Sequence, residues 1–98
     1  MKERGQMEVV RAYLTISGHV QGVNFRAYAR EHARTIGVTG WVRNLDDGRV
    51  EAVFEGPKPA VQRLISYCYR GPNRARVERV EIEWQSPTGR EEHFHILW

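Results

Sequence analysis

The chain has a single cysteine, Cys68, among its 98 residues. One thiol closes no internal disulfide, so the fold must rest on its own core, and a reducing cytoplasm is the expected compartment. No run of about 18 apolar residues occurs, so neither a membrane-crossing helix nor a membrane partner is expected. The opening residues, Met1 to Gln6, are polar and charged and lack an apolar h-region, so no secretory signal is expected. Lysine is scarce: Lys2 and Lys58 are the only two of 15 basic residues that are not arginine. Twelve acidic residues are interspersed among them and leave a net charge of +3. That is a solvated arginine-rich surface rather than a polycationic footprint, and no nucleic-acid partner is expected. Repeats, linkers and low-complexity tracts are missing as well.

What is present is enough for one domain with one modest core. Hydrophobic residues make up 41% of the chain, so it should fold. In 8–17, Ala12, Leu14 and Ile16 alternate with Arg11, Tyr13 and Thr15, which is a strand period. From Phe25 to Ile36, the residues Phe25, Ala29, Ala33 and Ile36 form one helical stripe, and Gly37 stops it. Strand-like segments at 38–45 and 49–55 flank the turn Asp46-Asp47-Gly48 and predict a hairpin. Gly56-Pro57-Lys58-Pro59 opens a second helix whose stripe is Val61, Leu64, Ile65 and Cys68, and Gly71-Pro72 ends it. A strand over 77–85 places Val80, Ile82 and Trp84 on one face, and 93–98 forms a short last strand after a polar loop. The order βαββαβ predicts an α+β, ferredoxin-like sandwich, with two helices on one face of a mixed or antiparallel sheet. Residues 1–7 are expected to be a flexible N-terminal extension, and 8–98 the domain. Such a fold hosts many functions, so the site must decide.

The segment Gly18-His19-Val20-Gln21-Gly22-Val23-Asn24-Phe25-Arg26 links the first strand to the first helix. Two glycines four apart permit tight turning and bring backbone N–H groups close to a ligand. The helix N-terminus adds free N–H groups and a positive dipole end, which suit an anion. Arg26 falls in the first helical turn, where it opposes that dipole but can complete a phosphate clamp. A second segment, Gly40-Trp41-Val42-Arg43-Asn44, ends its strand on an asparagine. An amide there can donate and accept at once and so hold a water, although turn initiation is a common asparagine role.

Other chemistries fit less well. Cys68 to Arg74 matches the cysteine-x-x-glycine-x-x-arginine pattern of thiolate phosphatases. In those enzymes a strand precedes the cysteine and a helix begins near the arginine, whereas here a helix precedes Cys68 and ends at Gly71-Pro72. His93 and His95 share a strand face, but two ligands do not make a zinc site. Asp46 and Asp47 are first of all a turn. Tyr13 and Trp41 are the aromatics a sheet-face RNA binder would use, yet the basic-glycine-aromatic signature of such modules is missing. Arg70, Arg74, Arg76 and Arg79 make a local basic patch, read as a solvated loop.

Together, Gly18 to Arg26 and Gly40 to Asn44, with the spaced Gly48, Val50 and Gly56, closely resemble the acylphosphatase family from about Val9 to Trp98. Leu45 stands where relatives often carry a hydroxyl residue. The resemblance implies a compact α/β sandwich that hydrolyses carboxyl-phosphate anhydrides. It implies that Arg26 binds the phosphoryl group and Asn44 orients the attacking water. The loop His19, Val20, Gln21, Gly22 and Val23 would supply backbone donors to the phosphate oxygens. Neither metal nor cofactor is expected. The expected partners are a small acyl phosphate and water, and the expected state is a monomer.

Overall fold

In the computed structural model, residues 8–98 are described; the extension expected over 1–7 lies outside the described residues. The elements are β1 (Val9–His19), α1 (Phe25–Ile36), β2 (Thr39–Asn44), β3 (Val50–Pro57), α2 (Lys58–Arg70), β4 (Arg76–Gln85) and β5 (Phe94–Leu97). The strands form one sheet in the order β4-β1-β3-β2-β5. β3 runs antiparallel to both β1 and β2, so β1 and β2 are parallel with β3 inserted between them. β1 likewise lies between β3 and β4. This is the doubled split-βαβ arrangement expected from the element order. β5 adds a parallel partner to β2, which makes the sheet mixed.

Cross-strand register explains the alternating sequence. Phe54, Ala12 and Trp84 pair across one row, and Ala52, Leu14 and Ile82 across the next. These rows face the helices, and their central members Ala12, Leu14, Ala52 and Phe54 are fully buried. Phe25, Ala29 and Ala33 from α1 close the core, with Val61, Leu64, Ile65 and Cys68 from α2. The two helices also hold each other: Tyr28 donates its hydroxyl to the Tyr67 carbonyl at 3.0 Å, and His32 stacks on Tyr67. Trp84 sits on the expected face but is half exposed, because β4 is an edge strand. The register shift between Ser17 and Gly18 resets the alternation, so Val77 and Val80 both pack on the core although three residues apart.

The opposite sheet face is polar and bonded across strands. Glu51 accepts from the Tyr13 hydroxyl and from Arg43 Nε. Glu55 accepts from Arg11 at 2.9 Å and from the backbone N–H groups of Thr88 and Gly89, which fasten the 86–93 loop onto the sheet. Burial alone would raise both carboxyls, but these donors outweigh it and hold both below the ordinary glutamate value. A carboxylate held down in the folded state contributes stability above its unfolded pKa and loses it as pH falls through the folded value. The melting temperature should therefore be flat near neutrality and drop below roughly pH 4. Glu55→Gln should lower it at neutral pH and flatten the acid side; thermal scans from pH 7 to pH 2 check both.

Candidate active site

The site forms where β1 hands over to α1. Gly18 is at φ 127°, and a Cβ there would lie 2.1 Å from the Arg76 carbonyl oxygen of β4, so only glycine passes. Gly22 is at φ 75° with open space around it; there the backbone angle, not crowding, demands glycine. Asn24 is a third left-handed residue, at φ 72°. It precedes α1 without making a side-chain cap, and the first turn of α1 holds no acidic residue. The dipole end and its N–H groups are thus left unneutralised. Among the described residues, no backbone or side-chain acceptor takes the N–H groups of Gln21, Gly22, Val23 or Asn24.

Two features keep this loop in shape. Val20 and Val23 are buried in the core. Gln21 donates both amide hydrogens across the site, to the Leu45 carbonyl at 2.7 Å and the Arg49 carbonyl at 2.9 Å. Those carbonyls belong to the β2–β3 turn, where the Leu45 N–H also bonds the Arg49 carbonyl. The turn that follows Asn44 is thereby pinned to the loop that precedes Arg26.

Asn44 pairs with the buried Val50 at the end of β2, which puts its side chain on the helix face. Its Oδ1 is buried and has no hydrogen-bond partner among the described residues. A buried acceptor left unmet costs stability in proportion to the solvation it has lost, so such an atom calls for a functional explanation. Asn44 shares a cavity of about 170 Å³ with Val20, Gly22, Asn24, Arg26 and Trp98. That volume suits a small group rather than a large ligand. Arg26 takes part in none of the ion pairs found among the described residues, and its guanidinium lies 4.4 Å from the centre of the Trp98 ring.

The structure therefore brings Arg26, Asn44, Val20 and Gly22 together around one cavity. His19, Gln21 and Val23 do not line it: His19 is exposed at the end of β1, Gln21 faces the hairpin, and Val23 is part of the core. Asn24 and Trp98 were not singled out from the sequence as site residues. The alternation Phe94, Ile96, Trp98 was the available signal for the second. A larger groove of about 620 Å³ lies beside Val9, Lys58 and Trp84, but it is shallow and open and gathers no comparable set of free donors.

The thiol pattern does not make a second site. Cys68 is fully buried in α2, and burial pushes its thiol up to about 12. Among the described residues, no group of three or more histidine, cysteine, aspartate or glutamate side chains is placed to hold a metal. Tyr13, a candidate for base stacking, is instead bonded to Glu51.

The fold and cavity define a small α/β sandwich with unengaged backbone N–H groups around a cavity at its first βα junction. Comparison with known proteins carries this further. The family model described as Acylphosphatase matches residues 12–96. An acylphosphatase of Chloroflexus aurantiacus is 65% identical over 92 residues, covering 94% of this chain and all of that protein. One from Roseiflexus sp. is 62% identical, covering 94% of this chain and 99% of the relative. The crystal structure of acylphosphatase from Bacillus subtilis superposes with a TM-score of 0.88 at 30% identity, covering 91% of this chain and 99% of that one. The chain belongs to the acylphosphatase family of hydrolases.

The buried thiol yields a direct check. Iodoacetamide at pH 8 should leave the native protein unlabelled by mass spectrometry and label one site fully in guanidinium. Rapid native labelling would contradict the burial of Cys68.

Proposed function

We propose that the protein hydrolyses small acyl phosphates to a carboxylate and inorganic phosphate by direct attack of a water molecule. The observation that carries this reading is the unpartnered Oδ1 of Asn44, buried in the same cavity as Arg26 and the glycine loop. In the proposed reaction the phosphoryl oxygens accept from the Arg26 guanidinium and from the backbone of residues 19–23. Asn44 accepts a hydrogen bond from the water and fixes its position opposite the carboxylate leaving group. The water oxygen bonds to phosphorus, the bond from phosphorus to the acyl oxygen breaks, and the water's proton passes to a phosphate oxygen.

The small number of side chains fits the substrate. A carboxylate leaving group has a conjugate-acid pKa of about 4, so it departs without a proton from the protein. What remains is positioning and neutralisation of the equatorial oxygens, which a backbone cradle and one arginine can supply. Cys68 offers no competing nucleophile, since burial keeps it a thiol. Residues 8–98 are proposed as the whole catalytic unit, working as a monomer in the cytoplasm. No helix of the described residues is long and apolar enough to cross a membrane. A small molecule is a better match than RNA, because on the open sheet face Arg11, Arg43 and Arg79 are already engaged by Glu55, Glu51 and Glu81.

Arg26→Ala and Asn44→Ala should each lower kcat on a simple acyl phosphate by about 10²–10³ or more, with circular dichroism and melting temperature close to wild type. Wild-type turnover should persist in chelator and be far slower on an aryl phosphate monoester, whose poorer leaving group wants a proton. A folded Asn44→Ala with unchanged kcat would remove the water-positioning role. Equal rates on both phosphate classes would count against the reaction itself.

A further inference from the structure

Two of the four histidines stand together at the start of the last strand, and neither lines the cavity of Arg26 and Asn44. Phe94 is buried in the core, so strand alternation turns His93 and His95 to the other face of β5. Both rings are exposed, their centres lie 5.9 Å apart, and they meet edge to face. Neither imidazole takes part in a hydrogen bond or ion pair among the described residues. His32 is the contrast, with its ring stacked on Tyr67 and met by the edge of Tyr28. The backbone beneath the pair is fixed. The His93 carbonyl accepts from the Gly40 N–H at 2.9 Å, and His95 pairs with Trp41 of β2.

Two imidazole nitrogens at about 2.0 Å from one ion put their ring centres roughly 4.5–6 Å apart. The pair falls within that span, and the broad χ2 of histidine lets each exposed ring turn a nitrogen to a common point. Both rings line a groove of about 510 Å³ with Glu92, whose carboxylate brings negative charge to it. Arg34 also lines this groove, but its guanidinium is turned onto the Phe94 carbonyl at 3.2 Å. Two neutral nitrogens do not suit magnesium or calcium, which take oxygen ligands. Nor do they close a structural zinc site, which wants four ligands. Copper(II) stands highest in the divalent series, accepts imidazole, and leaves its other tetragonal positions to water, so two ligands hold it best.

We propose that His93 and His95 form a surface chelate for one copper(II) ion, with water in its remaining positions. The strand spacing and the paired backbone hold the two ligands ready. The chelate is independent of the reaction proposed for the cavity and stands or falls without it.

Copper(II) chloride is the probe, titrated into the full chain by calorimetry. Binding at this site should saturate at one equivalent, with nickel(II) and zinc(II) each weaker by about tenfold or more. His93→Ala and His95→Ala should each weaken copper binding by about tenfold or more, and the double variant should lose that equivalent. His19→Ala should change it by less than about twofold, because that ring has no partner in the chelate. Since both rings are exposed, the metal-free variants should melt close to wild type. Electron paramagnetic resonance then counts the ligands: the wild-type copper signal should show coupling to two imidazole nitrogens, and that of His95→Ala to one. A double variant that keeps the wild-type equivalent overturns the proposal, because copper is then held elsewhere on the chain. Equal affinity in wild type and His95→Ala reduces the site to a contact with one imidazole and overturns the chelate. Zinc held more tightly than copper overturns the choice of metal.

Discussion

Gln21 directs both of its amide hydrogens at the carbonyls of Leu45 and Arg49, and the geometry of the site depends on that bridge. The cradle grows from β1 and α1, whereas Asn44 belongs to a hairpin that begins beyond α1. In the sheet, β3 separates β1 from β2, so no ladder bond ties the cradle's strand to the strand of Asn44. A side-chain amide spans the gap. It donates to backbone acceptors that also close the turn, so loop and turn are held as one unit. Positioning is the main contribution the proposed reaction asks of a protein, and small displacements of reacting groups are costly. Gln21, a residue outside the cavity, thereby ties together the two segments that flank it.

The same economy shapes the left-handed stretch. Gly18 is dictated by the carbonyl of β4, Gly22 by its own backbone angle, and Asn24 adopts a conformation that asparagine accepts more readily than most side chains. Together they turn the chain out of β1 and into α1. The loop would be unfavourable without its anchors, and Val20 and Val23 supply them by burial. Strain, anchoring and free donors are thus three consequences of one tight turn.

Much of this was legible in the sequence because periodic segments report their own burial. Ala12, Leu14 and Ile16 alternate and are fully buried; Phe25, Ala29 and Ala33 recur at helical spacing and are buried too. The glycine loop and Arg26 were legible through their order along the chain. The site residues that depend on distant partners were not. Nothing local tells that Gln21 reaches the turn after Asn44, because that requires strand order. Trp98 follows the alternation of β5, but its place beside Arg26 depends on β5 pairing with β2 rather than on its own neighbours. The position of Asn24 is another such case, since a left-handed asparagine is set by the turn around it. Trp84 shows the limit of periodicity from the other side: its face was clear, but exposure at an edge strand is a property of the sheet.

The division between the two sheet faces has a functional logic. On the open face, the carboxylates of Glu51 and Glu55 are matched by Arg43, Arg11 and the Tyr13 hydroxyl, so their charge is satisfied inside the network and contributes to stability. On the helix face, at the mouth of the cavity, the pattern reverses. Among the described residues, Arg26 has no acid, α1 has no acidic first turn, and Asn44 Oδ1 has no donor. Unmet groups cost stability in a protein of this size, where net stability is a small difference between large terms. They are also what preorganised electrostatics needs, since a donor already paired must be freed before it can act. The structure satisfies Glu51 and Glu55 on one face and, among the described residues, leaves Arg26, the loop N–H groups and Asn44 Oδ1 unmet around one cavity on the other, where an anion and a water would relieve them in the proposed reaction.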